Sequence, residues 1–150
     1  MPEQETLKRA HEDAREGKSP STQAGEFVRE EIEHVREGKH GSRSAKQAIA
    51  IGLSKARRAG VKLPPPKASR SSAATRHKAE LESKKAGQKK KPSKKRSTAV
   101  KGALKREGKG AASKAALARQ ARGAAKSRTK QERSQAAKKA ARTRKPRKNS

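Results

Sequence analysis

The distribution of charge most constrains what this chain can fold into, because almost all of the net charge of +29 lies in its second part. Residues 1–66 carry 13 Lys/Arg and 10 Asp/Glu, for a net charge of +3. Residues 67–150 carry 30 Lys/Arg and 4 Asp/Glu, for a net charge of +26. Like charges at this density repel one another and oppose compaction. The division therefore favours a small folded part followed by a polycation that binds something polyanionic.

The content of large apolar side chains changes at the same boundary. Beyond alanine, residues 67–150 contain only four of them: Leu81, Val100, Leu104 and Leu117. Over the whole chain 28% of residues are hydrophobic and 38% are charged, a composition typical of disordered segments. We therefore predict an all-α protein with a small helical head of about three helices at residues 1–66. Residues 67–150 are predicted to form a long, largely disordered basic tail with transient helices.

Apolar periodicity predicts three helices in the head, and no region shows the alternation of a strand. The predicted helices run from about Glu3 to Glu16, from about Ala24 to Glu37 and from Ala45 to Gly60, where Ser44 and Gln47 match a capping box. Gly52 lies at the centre of the apolar face of the third helix, which predicts a close helix crossing. Glu31 falls within the apolar face of the second helix and needs a partner or an exposed edge.

The sequence REGK occurs three times, at residues 15–18, 36–39 and 106–109. Each copy stands at a predicted helix end, and a serine follows a few residues later. We interpret the copies as three C-terminal glycine stops followed by N-cap serines.

The basic tail carries the main functional signal, because phosphates attract Lys and Arg without regard to sequence. The predicted nucleic-acid-binding residues are Lys89, Lys90, Lys91, Lys94, Lys95, Arg96, Lys101, Lys105, Arg106, Arg119, Arg122, Lys138, Lys139, Arg142, Arg144, Lys145, Arg147 and Lys148. The chain has no Trp or Tyr and a single Phe, so it lacks the aromatic side chains on which single-stranded bases stack. Specific recognition by the third helix, which contains Lys46, Lys55, Arg57 and Arg58, is a weaker alternative.

Signs of catalysis and of metal binding are few. The chain has no Cys, which excludes disulfides and thiolate sites. Glu31 and His34 have an E-x-x-H spacing, but a carboxylate-bridged metal site needs several such pairs. We expect these side chains to be solvated, and we predict no enzyme, no metal and no cofactor. No segment is apolar for long enough to span a bilayer, so no membrane association is expected.

Two stretches resemble a family of small basic bacterial proteins of unknown function. The first is SPSTQAGEFVREEIEHVREGKHG followed by RSAKQAIAIGLSKARRAG, with a QAIAIGLS-type helix at residues 47–54, and the second is residues 103–122. The resemblance implies a cytoplasmic protein of the bacterial nucleoid, and it supplies no catalytic residues. The Lys/Ala-rich tail is also similar in composition to histone-like tails.

The favoured function is non-enzymatic, largely sequence-independent DNA binding of a histone-like kind. RNA or ribosome association is the alternative within nucleic-acid binding. An interaction or stress protein whose helical head binds itself, as a homodimer, or a protein partner is the alternative outside it.

Overall fold

The structure, a computed structural model, describes residues 1–88 and 91–144. These residues form no strand but seven α-helices: α1 (Gln4–Arg15), α2 (Pro20–Glu37), α3 (Ala45–Arg58), α4 (Ala73–Lys84), α5 (Lys94–Arg106), α6 (Lys114–Lys126) and α7 (Lys130–Arg144). None of the described helices combines the length and the hydrophobicity that crossing a membrane requires. Contacts divide the chain into two compact units, Met1–Leu117 and Ala118–Ser150.

The three helices predicted for the head are confirmed, with small changes at their ends. The second helix begins four residues earlier than predicted, at Pro20, because proline fits the first turn of a helix. It ends at Gly38, whose φ of 80° favours glycine. The hydroxyl of Ser44 accepts the N–H of Gln47 at 3.2 Å, as the capping box predicts. The Gln47 side chain in turn accepts the N–H of Arg43 at 2.8 Å.

The core of the first unit is built mainly from small residues. Eight of the twelve buried apolar residues are alanine, and the largest fully buried apolar side chains are Phe27 and Val35. The predicted close crossing of α2 and α3 at Gly52 is confirmed. A Cβ at Gly52 would lie 2.6 Å from the Cα of Val28 and 3.0 Å from the carbonyl oxygen of Phe27. The two backbones are therefore in direct contact, a distance that only glycine permits.

The prediction of a largely disordered tail is wrong, since four helices follow residue 66. Three of them, α4, α6 and α7, have N-termini capped by hydroxyl side chains, which satisfy backbone N–H groups that would otherwise lack a partner. Ser72 accepts the N–H of Thr75, and Ser113 accepts that of Ala116. Alanine, lysine and arginine are also among the strongest helix formers. The prediction of disorder counted only apolar side chains larger than alanine, yet Ala79, Ala111 and Ala112 are buried.

Residues 104–112, called here the returning segment, come back to the loop between α2 and α3. The carbonyl oxygen of Leu104 accepts the N–H of Gly41 at 2.8 Å, and that of Gly108 accepts the N–H of Ser42 at 3.1 Å. Arg36 donates from Nε to the carbonyl oxygen of Ala112 at 3.0 Å. Ala112 packs with Ile32, Val35 and Ala48 of α2 and α3. The returning segment is thus part of the same core as the head.

The returning segment contains the third REGK sequence, which differs in structure from the first two. The first two copies place glycine at positive φ after a helix, as predicted, with φ of 70° at Gly17 and 80° at Gly38. The third copy does not, because α5 ends at Arg106 and the chain continues extended at Glu107. This copy contacts the second one, since a Cβ at Gly38 would lie 2.6 Å from Nζ of Lys109.

In the second unit, α7 begins with a reciprocal cap. Thr129 Oγ1 accepts the N–H of Glu132 at 3.2 Å, while the Glu132 carboxylate accepts the N–H of Thr129 at 3.0 Å. The sequence analysis did not single out this helix, although Thr129 and Glu132 have the spacing of a capping box.

The close crossing predicts that alanine substitutions at Gly52 and Gly25 change the stability of the protein in opposite directions. Gly52→Ala should lower the free energy of unfolding by about 1–3 kcal/mol, because its Cβ overlaps the α2 backbone. Gly25→Ala, the matched control on α2, has nothing within 4 Å of its Cβ and should raise stability by roughly 0.5–1 kcal/mol. Urea denaturation of both variants measures this, and equal effects would contradict the crossing.

The contact of the returning segment predicts a local effect of Gly41→Ala. A Cβ at Gly41 would overlap the carbonyl group of Glu107, so the returning segment must move away. The Ser42 amide should then lose about tenfold in hydrogen-exchange protection, which corresponds to about 1.4 kcal/mol. Gly108→Ala has open space around its Cβ and is the control. Unchanged protection in Gly41→Ala would mean that the segment is not held there.

Candidate nucleic-acid interface and buried charge cluster

The helix α5 presents a stripe of exposed lysines within the first unit. Lys94, Lys101 and Lys105 are spaced by seven and four residues, which places them on one face of the helix. The helix has six basic residues and no acidic one. None of the six forms an ion pair with another described residue, and all are exposed. Lys91, which precedes the helix, is exposed as well.

The second unit carries its own basic residues on α6 and α7. Arg119, Arg122 and Lys126 are spaced by three and four residues and share one exposed face of α6. On α7 the predicted residues Lys138, Lys139 and Arg142 are exposed. Arg144 is the last residue of α7. Lys89, Lys90, Lys145, Arg147 and Lys148 lie outside the described residues.

Most acidic residues of the head have basic partners within the head. Nine of the ten form ion pairs with basic residues of the head itself: Glu3, Glu5, Asp13, Glu16, Glu26, Glu30, Glu31, Glu33 and Glu37. Two of the four acidic residues further along the chain also have partners in the head. Glu82 accepts from Ser54 of α3, and Glu107 lies 3.7 Å from Arg43. Within residues 1–88 and 91–144, no carboxylate forms an ion pair with the exposed cations of α5.

A charged cluster lies between α1, α2 and α3, with Lys55 at its centre. The Lys55 ammonium lies 2.8 Å from Glu31 Oε2 and 3.0 Å from Glu30 Oε1. The backbone N–H of Glu3 donates to Glu30 Oε2 at 3.0 Å. Glu30 is 3% exposed and Glu31 is 1% exposed. Two buried carboxylates are thus held against one ammonium.

The hydrogen bonds of the cluster outweigh the effect of burial on ionisation. Burial alone would lower the pKa of Lys55, but Glu31 and Glu30 raise it above 10.5. Burial alone would raise the pKa of Glu30, but the Glu3 N–H, Thr6 and Lys55 lower it below 4.5. The pKa shifts of Lys55 and Glu30 both favour the charged forms at neutral pH. Their attraction therefore stabilises the folded head, and this stability is lost as the pH falls through the lowered pKa of Glu30 or rises through the raised pKa of Lys55.

Two histidines extend the cluster at the end of α2. His34 Nε2 lies 2.9 Å from Glu3 Oε1, and His40 Nε2 lies 3.2 Å from Glu31 Oε1. The two rings are in edge-to-face contact, with centroids 6.0 Å apart. The expectation that Glu31 and His34 are solvated is wrong for Glu31, which is fully enclosed. Sequence spacing could not reveal this, because His40 lies in the loop and Lys55 on another helix.

The third helix is less available to nucleic acid than its basic residues suggested. Lys55 lies within the charged cluster, and Arg57 is 8% exposed. Phe27, the only residue among Phe, Tyr and Trp in the sequence, is 1% exposed and cannot stack on a base.

Comparison with known proteins gives one match. Residues 16–67 match a family of unknown function (DUF6496), which is 52 of the 150 residues. No curated protein and no solved structure matches the chain. The predicted resemblance to an uncharacterised family is confirmed over this stretch, which contains α2, α3 and the loop between them. Glu30, Glu31, His34, His40 and Lys55 all lie inside it.

The cluster predicts a large effect of removing its only ammonium. Lys55→Met should lower the free energy of unfolding by about 3–5 kcal/mol, because it leaves two buried carboxylates without a counter-charge. The matched control is Lys46→Met on the same helix, where the side chain is exposed and the change should stay within about 0.5 kcal/mol. Urea denaturation followed by circular dichroism distinguishes them. Equal stability of the two variants would show that the cluster contributes nothing.

Proposed function

We propose that this protein is a non-enzymatic, histone-like nucleic-acid-binding protein that contacts the phosphates of duplex DNA through its exposed basic helices. The observation that carries the proposal is the separation of paired from unpaired charge. Nine acidic residues of the head are already engaged with basic residues of the head, whereas the six cations of α5 form no ion pair with a described residue. Phosphates are the partners that such cations select.

The stripe on α5 suits contact with a phosphate backbone. Three lysines over 11 residues extend along about 16 Å of helix. Lysine binds phosphate as a point charge and carries little information about base identity. Binding of this kind is weakly dependent on sequence and strongly dependent on salt.

Duplex DNA is favoured over single-stranded nucleic acid. Proteins that bind single strands combine a basic groove with exposed aromatic rings, and here the only Phe is buried. Structured RNA presents the same phosphate charge, so competition between duplex DNA and structured RNA at fixed salt decides between them. The proposed place of action is the bacterial nucleoid, as the sequence resemblance implies.

The proposal predicts that the α5 stripe contributes measurably to binding by the full chain. Replacing Lys94, Lys101 and Lys105 by Gln should reduce the slope of log K against log salt by about 2.7, since each phosphate contact contributes about 0.9. The slope is measured by fluorescence anisotropy with a labelled duplex between low and moderate salt.

The matched control replaces three exposed lysines of the head, Lys8, Lys46 and Lys62, by Gln. It removes the same net charge, so only the position of the charge differs. The control slope should change by less than about one. Equal losses in both variants would show that net charge alone drives binding, and absence of binding at low salt would overturn the proposed function itself.

A further inference from the structure

The charged cluster contains three side chains whose donor atoms converge. Glu31, His34 and His40 each offer one donor atom, and these atoms lie within 4.8 Å of one another. Glu31 and His34 lie one turn apart on α2, while His40 lies in the loop after that helix. The imidazole side chains are only 14% and 18% exposed. Two imidazoles and one carboxylate form a donor set that suits zinc and its neighbours in the first transition row.

The hydrogen bonds of His40 direct its Nε2 at the carboxylate of Glu31. His40 Nδ1 lies 3.0 Å from the carbonyl oxygen of Gly41, and a carbonyl can only accept, so Nδ1 carries a hydrogen. In the neutral ring Nε2 then has a lone pair. That lone pair faces Glu31 Oε1, which is also an acceptor, at 3.2 Å. A proton, on the ring or on the carboxyl group, or a metal ion can bridge these two atoms.

The observed spacing is compatible with a metal ion. Ligand bonds of about 2.0–2.2 Å, at angles between octahedral and tetrahedral, place nitrogen and oxygen about 2.8–3.6 Å apart. The 3.2 Å between His40 Nε2 and Glu31 Oε1 lies within this range.

The surroundings orient the three donors as the outer shell of a metal site does. A ligating histidine usually donates its other N–H to a carbonyl or carboxylate, and His40 does so to Gly41. Lys55 holds the other oxygen of Glu31 at 2.8 Å. The backbone next to His40 is fixed by the returning segment, through the bond from the Gly41 N–H to Leu104. The donors are therefore placed by contacts from three parts of the chain.

We propose that Glu31, His34 and His40 bind a late first-row divalent metal ion, of the class of Zn²⁺ or Co²⁺. Three protein ligands leave a coordination position open, and the carboxylate of Glu3 stands beside the site, 2.9 Å from His34 Nε2. The ion would join α2 to the loop that the returning segment holds. Its binding would therefore stabilise the first unit independently of nucleic acid.

The test is a Co²⁺ titration of the full chain prepared without a polyhistidine tag, followed by visible absorption. His34→Gln and His40→Gln, each alone, are compared with wild type. The chain supplies matched controls, because His11 and His77 are exposed and lie outside the cluster. Circular dichroism checks that each variant keeps its helices, and Mg²⁺ serves as the ion that these donors should not retain.

Wild type should give the absorption bands of coordinated Co²⁺, and Zn²⁺ should displace them. Loss of either cluster histidine should weaken binding by about tenfold or more, while His11→Gln and His77→Gln should bind as wild type does. Zn²⁺ should also raise the melting temperature of wild type and of the two control variants, but not that of His34→Gln or His40→Gln. Equal binding by cluster and control variants would overturn the proposal. Absence of Co²⁺ binding to the folded wild type would overturn it as well, and a proton would then bridge His40 and Glu31.

Discussion

The contact of two backbones at Gly52 is the constraint on which the first unit depends. With so few large apolar side chains, the core gains contact by bringing helices together rather than by filling space between them. Dispersion contacts weaken steeply with separation, so a close crossing makes alanine and glycine effective core residues. The same approach of α3 to α2 brings Lys55 within 3.0 Å of Glu30 and Glu31. The packing of small residues thus determines how close Lys55 lies to Glu30 and Glu31.

The charged cluster affects more than the stability of the head. A carboxylate that is paired inside the head is less available to the lysines of α5, and the proposed phosphate binding depends on this. The proposed phosphate binding uses the exposed cations of α5, whereas the proposed metal site uses side chains of the charged cluster. The α5 cations form no ion pair with a described residue, and the end of α2 keeps two imidazoles beside a buried carboxylate.

The sequence predicted the elements that depend on local signals and missed those that depend on distant contacts. The three head helices follow from the spacing of apolar residues, and the Ser44 cap follows from its hydroxyl group. The close crossing of α2 and α3 follows from the absence of a side chain at Gly52. The structure of the tail was wrongly predicted because only large apolar residues were counted, whereas buried alanines hold part of the tail to the head. In the charged cluster, Glu31 was recognised as needing a partner. Its partners Lys55 and His40 could not be assigned, since the fold alone brings them together.

The returning segment links the head to chain that is synthesised much later. The amides of Gly41 and Ser42 receive their backbone partners only from Leu104 and Gly108, more than 60 residues downstream. The entropy of closing such a loop rises only slowly with its length, so the contact is thermodynamically inexpensive, but contacts of this separation form late in folding. During synthesis the α2–α3 pair must persist with this loop open and with Ile32 and Val35 lacking the cover of Ala112. The nascent head therefore exposes a small apolar patch until the whole returning segment, including Ala112, has left the ribosome.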